Sequence, residues 1–334
     1  MRELLVSVLI LNYNGIDHLE ECFNSLSQLT YKNVEIILID NNSQDNSVNF
    51  IRENYPNVNI IKLNKNFGFT GGNNAGASQA KGEYIVLLNN DTIVDKNWLT
   101  ELVRVAQKSK NIGVVGSKIY NYYNREFIDY AGSCCDKYLR TDHIGRNLND
   151  NKFLDFENET FYACGAALLI KRELYKKIGL FDPLYFIYCE DFDLSWRTWL
   201  AGYKVMYAPK SFLFHKIGQV LEDLSPRKFF LHERNRLRTL LKNYELKSIL
   251  KILPLYLVKR IGMFVKLCIQ FDNTALLYLY INIKSLLWNI IHMKSLIRNR
   301  RFIKTIRIKD DKFIFEIMNK TVKFKQAILK IKEI

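Results

Sequence analysis

Nowhere in this chain do two cysteines stand at a metal-binding or redox spacing. The six present, Cys22, Cys134, Cys135, Cys164, Cys189 and Cys268, form no Cys-x-x-Cys pair, which argues against a structural zinc site or a disulfide framework. Cys22, Cys164 and Cys268 lie in apolar contexts and read as reduced small hydrophobes, as in a cytosolic chain. A secretory leader is also missing. Met1-Arg2-Glu3 runs into Leu4–Leu11, too short an apolar stretch, which ends in the turn Asn12-Tyr13-Asn14-Gly15. A cytoplasmic location is therefore expected. There is no internal repeat, and the glycines of 68–76 lack the Gly-x-Gly-x-x-Gly spacing of dinucleotide binding. Acidic side chains are scarce in the last third: residues 216–334 hold 9 Asp/Glu against 26 Lys/Arg, whereas residues 1–215 hold 25 against 23. The whole net charge of +15 sits in that last region, which must meet something anionic.

What is present first is a series of short apolar runs that stop in polar turns. Val6–Leu11, Val34–Ile39, Asn59–Leu63 and Tyr84–Leu88 read as buried strands, and Leu19, Cys22, Phe23 and Leu26 mark one face of a helix between the first two. Strands alternating with helices imply β-α-β crossovers and a parallel sheet, so the fold class is α/β. Further along, Val114–Ser117, Phe161–Ile170, Lys204–Ala208 and Ser211–Phe214 read as strands. Lys171–Lys177 reads as a helix closed by Gly179, and Asp191–Leu200 as another closed by Gly202. The Tyr- and Asn-rich stretch 120–160 reads as loops over a site.

The polar turns fall where ligands bind in such sheets, beyond the carboxyl ends of the strands. Leu87-Leu88-Asn89-Asn90-Asp91 ends a buried run in oxygen ligands, suited to a hard divalent cation that grips a diphosphate. As plain turn chemistry the same residues need no ligand. Asp40-Asn41-Asn42-Ser43 offers acceptors for a base or ribose, or an Asx cap for the next helix. The glycines of 68–76 permit close backbone approach to a phosphate. Glu190, Asp191 and Asp193 place three acids within four positions, a repulsion that calls for a cation, a helix N-terminus or a catalytic task.

Together these strings resemble family 2 glycosyltransferases, most nearly the rhamnosyltransferase-like branch that builds bacterial surface polysaccharides. The resemblance runs over about residues 4–220. It rests on Val6–Gly15, Asp40–Ser43, Asn66–Phe69 with Gly71–Asn74, Leu87–Asp91, and Gly179–Asp182 followed by Glu190–Leu194. It implies a GT-A fold, a Rossmann-like, mostly parallel sheet flanked by helices, and inversion at the anomeric carbon. It implies Asp191 as general base with Glu190 and Asp193 as supporting acids, and Mg²⁺ or Mn²⁺ at Asp91 with His215. Leu11, Asn12, Tyr13, Asp40, Asn42, Gly71, Asn74 and Asn90 are the implied donor contacts. Two departures stand out: the metal motif reads Asn-Asn-Asp rather than carrying two acids, and His215 is followed by Gly218 but by no serine before Ser225. The implied partners are a dTDP- or UDP-sugar and a lipid-linked glycan acceptor.

A sugar nucleotidyltransferase would share the sheet and the metal, but it needs a basic glycine loop for triphosphate, and no Lys or Arg flanks Asn12–Gly15. A non-enzymatic nucleic-acid binder would use the basic tail, whose Leu and Ile density is too high for a simple charged arm, so no nucleic-acid partner is expected. Composition divides the chain into a catalytic region, 1–220, and a basic amphipathic helical region, 221–334. In 246–271, Lys251, Lys259 and Lys266 recur near one side, with Ile252, Leu255, Tyr256, Met263 and Leu267 on another. That pattern suits a helix lying on an anionic membrane surface, which makes the protein peripheral on the inner face of the cell membrane. Residues 274–297, interrupted by Lys284, His292 and Lys294, leave lying on and crossing the bilayer both open. The alternative is a helical pair packed on the catalytic region or on a second copy in a homo-oligomer.

Overall fold

The structure, a computed structural model, describes residues 3–150, 154–216 and 225–331. Four parallel strands begin it: β1 (Val6–Asn12), β2 (Val34–Asp40), β3 (Asn59–Lys62) and β4 (Tyr84–Asn89), alternating with helices α1 (Ile16–Ser27), α2 (Ser47–Asn54) and α3 (Gly68–Gln79). After β4 come β5 (Thr92–Val94), α4 (Trp98–Gln107) and β6 (Ile112–Asn121). The short strands β7 (Ile128–Tyr130), β8 (Ser133–Cys135), β9 (Thr141–His143) and β10 (Asn158–Glu159) follow, then β11 (Ala167–Lys171), α5 (Arg172–Ile178), α6 (Glu190–Leu200) and β12 (Lys204–His215). Five helices close the chain: α7 (Pro226–Asn243), α8 (Leu246–Ile269), α9 (Ala275–Ile291), α10 (Met293–Ile306) and α11 (Asp311–Ile331).

The large sheet runs β10-β12-β6-β11-β4-β1-β2-β3. β1 pairs in parallel with both β2 and β4, β3 with β2, and β12 with β6, while β11 is antiparallel between β4 and β6. Alternation along the strands feeds two cores. Val6, Val8 and Ile10 join Leu19, Phe23 and the α4 residues Trp98, Leu99 and Leu102 on one side. On the other, Leu9 and Ile39 join Ala77, Leu174 and Trp196.

Four expectations change. The glycine-rich stretch 68–76 is helix α3 rather than a phosphate loop. A side chain at Gly72 or Gly76 would run into Leu11 or Ile39, so these glycines let the helix sit close on the sheet. The strand expected over Phe161–Ile170 begins only at Ala167. The two segments expected at 204–208 and 211–214 are one strand, β12, with a break in its pairing to β6 between Ala208 and Phe212. The stretch 120–160 carries β7 to β10.

The helical third is not a detached arm. Leu237 and Leu240 of α7, Ile303 of α10 and Ile314 of α11 lie in the same core as Leu9 and Trp196, so the division near 220 is one of composition rather than of packing. On α8, Ile252 and Tyr256 face inward, Arg260 pairs with Glu233 at 2.8 Å, and Lys259 lies over the Tyr138 ring. The outward face of α8 is therefore mixed: Leu250, Val258, Ile261 and Ile269 are exposed beside the exposed Lys251, Lys259 and Lys266. Among the described residues no helix is long and apolar enough to cross a membrane, which removes the spanning option for 274–297.

Candidate active site

At the carboxyl edge of the sheet, the turns after β1, β2 and β4 hold one another. Asn12 Oδ1 accepts from Asn90 Nδ2 at 2.8 Å, and Asn12 Nδ2 donates to Ser43 Oγ at 3.2 Å. Asp40, buried, accepts the Ser43 amide at 3.1 Å, an Asx turn, and Asn42 takes a left-handed φ of 70°. Tyr13 stands half exposed at the rim, while Leu11 packs against α3. Asn74 spends both ends of its amide on the backbone of Phe181, at 2.9 and 3.0 Å, and Gly71 lies inside α3 against Phe67. Asn74 thus ties α3 to the segment before α6, with one donor and one acceptor of its amide engaged.

Asp91 lies in the turn between β4 and β5. Because β12 pairs antiparallel with β5, His215 at its end falls opposite Thr92, and His215 Nε2 comes 3.2 Å from Asp91 Oδ1. Asn89 Nδ2 is 3.3 Å from the same nitrogen. Burial alone would raise the Asp91 pKa, but the charge and hydrogen bonding of His215 win and lower it; in turn Asp91 outweighs burial and raises His215. Asp91 Oδ1 and His215 Nδ1 are buried without a well-aligned hydrogen-bond partner among the described residues. Asp91 Oδ1 beside His215 Nε2 is an oxygen and a nitrogen of ligand type, and they fit a divalent cation that takes its remaining ligands from phosphate and water; the unpartnered Nδ1 lies on the other side of the ring. No cluster of three or more His, Cys, Asp or Glu able to hold a metal occurs among the described residues, so Asp91 and His215 would act as a pair.

The three clustered acids have three different environments around a cavity of about 570 Å³. Asp191, half-buried in its wall, accepts the Gly165 amide at 2.9 Å and the Phe192 amide at 2.7 Å. Burial raises its pKa, while those two amides pull the other way. Glu190 is buried, its Oε2 has no partner among the described residues, and burial followed by the Asp191 charge holds its pKa well above the usual carboxylate range. Asp193 is fully buried and paired with Arg197 at 2.9 Å and Lys242 at 2.8 Å, with Asn243 donating at 3.0 Å. It is a structural anchor between α6 and α7, not a free acid beside the reaction.

Two groups of residues escaped the sequence reading. Asp129, His143 and Arg146 line the same cavity, delivered by the strands and turns of 120–160. His143 Nδ1 donates to the Asp129 carbonyl at 3.1 Å, and its charge would favour ionised Asp191. No spacing in that stretch signalled them. The second group lies on α7. Just before α6, Phe186, Tyr188 and Cys189 have φ values of 65°, 75° and 64°, a strained turn for side chains of this size. Asn235 Nδ2 lies within 3.0 Å of the carbonyls of Tyr185, Ile187 and Tyr188, and Arg234 Nη2 bonds those of Leu184 and Tyr185. This clamp holds the turn that aims Glu190 and Asp191. A second cavity of about 480 Å³, behind Asp182, has Arg197 and Lys242 in its wall already committed to ion pairs.

Comparison with known proteins agrees with this architecture. The family model described as glycosyl transferase family 2 matches residues 7–179. "Glycosyltransferase GlyG" of Streptococcus pneumoniae is 30% identical over 213 residues, covering 61% of this chain and 67% of that protein. Among solved structures, GalNAc-T7 with UDP, GalNAc and Mn²⁺ superposes with a TM-score of 0.60 at 23% identity, covering 73% of this chain and 49% of the other. A mannosyltransferase of Pyrobaculum calidifontis, in complex with GDP-Man and Mn²⁺, gives 0.54 at 14% identity and covers 91% and 86%. At such identities the structural likeness speaks for the fold, which is GT-A. With the motifs, the sheet and the family match in register, the chain belongs to glycosyl transferase family 2.

Proposed function

We propose that this protein is an inverting glycosyltransferase that moves a sugar, rhamnose first, from a nucleoside diphosphate sugar to a lipid-linked or polysaccharide acceptor in surface glycan synthesis. One observation supports this most: the Asp91–His215 pair and the separate carboxylate Asp191 serve one cavity, with His215 and Asp191 both in its wall. Asp91 and His215 would hold Mg²⁺ or Mn²⁺, which when bound supplies positive charge to the leaving diphosphate. Asp191 takes the proton of the acceptor hydroxyl as its oxygen bonds to the anomeric carbon and the bond to the diphosphate oxygen breaks. Attack from the face opposite the leaving group inverts that carbon. The Gly165 amide keeps the carboxylate aimed, and burial makes it a stronger base than a solvated aspartate.

Asp40, beside Asn12 at the strand ends, would accept the imide N–H of thymine or uracil through a charge-assisted hydrogen bond. That contact suits dTDP- and UDP-sugars alike, and the likeness to the rhamnosyltransferase-like branch puts dTDP-rhamnose first. Nucleoside diphosphate release across a panel of nucleotide sugars tests this reading. Release from a dTDP- or UDP-sugar that stops in excess EDTA supports it, whereas full activity in EDTA removes the metal. Tighter calorimetric binding of GDP than of dTDP or UDP overturns the base assignment.

The workplace we assign is the cytoplasmic membrane face. Leu276, Tyr280, Ile283 and Leu287 recur at helical spacing on α9 and are exposed, next to the exposed apolar residues of α8, in a region with a large excess of Lys and Arg. Flotation of the full chain with anionic and neutral vesicles tests it, and equal recovery in the unbound fraction with both would end the assignment.

A further inference from the structure

Lys228, His232 and Arg236 of α7 recur every four residues and so share one helix face. All three line the cavity that also holds Glu190 and Asp191. The His232 ring stacks on Tyr188 at 4.2 Å with planes 16° apart, which fixes the middle of the row beside the strained turn before α6. The geometry points to a phosphate-binding subsite made by Lys228, His232 and Arg236 for an anionic group on the acceptor, a phosphate or diphosphate at its lipid anchor; this assignment of the acceptor rests on the glycosyl-transfer reading above.

The charges around the row are out of balance. One acid, Glu233, serves Arg236 at 2.7 Å and also Arg260 at 2.8 Å. Lys228 has no acidic partner among the described residues. Of the four acids in the cavity wall none pairs with the row among the described residues: Asp129 faces Arg146 at 3.4 Å, Asp142 pairs with Lys325, Asp191 accepts two amides, and Glu190 Oε2 has no partner. Burial, then the charges of Arg236 and Lys228, pushes the His232 pKa down to about 4. A phosphate dianion offsets this imbalance with charge-assisted hydrogen bonds from all three side chains. The acceptor is favoured over the donor for two reasons. The donor's diphosphate has its own candidate partners in Asp91 and His215. And α7 is seated on α9, with Arg234 stacked on Trp288 at 4.5 Å and its carbonyl bonded by Asn289 at 3.0 Å, so the row sits on the helix next to the exposed apolar face.

Geranyl diphosphate, with geraniol as its neutral counterpart, is the probe. Calorimetry on the full chain should show that geranyl diphosphate binds and geraniol does not. Binding should persist with UDP and Mn²⁺ at saturation. Lys228→Glu and His232→Gln should each weaken it by about 10–100-fold, the span of a hydrogen bond to a charged group, while UDP affinity stays within twofold (about 0.4 kcal/mol). Unchanged binding in both variants overturns the subsite. Displacement by UDP, or an equal loss of UDP affinity, also overturns it and gives the row to the donor. Because this readout needs no turnover, a chain that binds geranyl diphosphate but transfers no sugar defeats the proposed activity and leaves the subsite standing.

Discussion

α7 and the α8–α9 pair lie side by side yet invert the usual rule about what a helix buries. α7 hides Arg234, Asn235, Arg238, Lys242 and Asn243, whereas α8 and α9 leave Leu250, Ile261, Leu276 and Ile283 in the open. Burying charge is costly unless every group finds a partner. On α7 the partners belong to the catalytic half: Asp182 takes Arg238 at 2.8 Å, and Asp193 takes Lys242 at 2.8 Å. These apolar residues of α8 and α9 have no such partner among the described residues. One helix of the basic region is thus a component of the active site, and its neighbours are a surface. Their similar composition conceals that difference.

The sharpest way to test the comparison is at the group α7 holds in place. Asp191→Asn should cut turnover by roughly 10²–10⁴ and leave dTDP or UDP binding nearly intact, measured by steady-state transfer and calorimetry. A variant that keeps the parent rate moves the base elsewhere. Next comes the ionic seam. Asp182→Asn leaves Arg238 and Lys242 under-paired in the interior and should destabilise the fold by about 3–5 kcal/mol in urea unfolding. A loss below 1 kcal/mol would mean that α7 is held by apolar contact alone.

Acid should open the same seam. The charges of Lys242 and Arg238 overcome burial and lower the Asp182 pKa from 3.8 to about 2. A depressed carboxylate adds stability above its unfolded pKa and gives it up as pH falls through the folded one. About 2 kcal/mol should therefore disappear between roughly pH 4 and pH 2, and more slowly with pH in Asp182→Asn. Hydrogen exchange of α7 amides reports it. The smallest effect belongs to the exposed face. Ile283→Glu should move stability by no more than about 0.5 kcal/mol, since the side chain is exposed, yet lower recovery with anionic vesicles. A large destabilisation would show that the residue packs against something after all.

By itself, the order of residues determined the parallel half of the sheet. Val6–Leu11, Val34–Ile39, Asn59–Leu63 and Tyr84–Leu88 are β1 to β4 within a residue or two, because an apolar run bounded by turn residues is a local signal. The same locality made the strand-end turns and the acidic cluster visible as candidates. Local pattern misled at Gly68–Gly76, where glycine meant close packing of a helix rather than a bare loop, a distinction that exists only once Leu11 and Ile39 are in place. Tertiary structure alone decided the fates of the three acids. Arg238 reaches Asp182 across 56 residues, Asn299 across 117, and Asn243 reaches Asp193 across 50. No periodicity records such pairings, since they depend on where whole elements dock. Ionisation follows docking for the same reason: Glu190, Asp191 and Asp193 are chemically alike in the chain, and only their burial and their distances to cations and amides push the first two pKa values up and the third down.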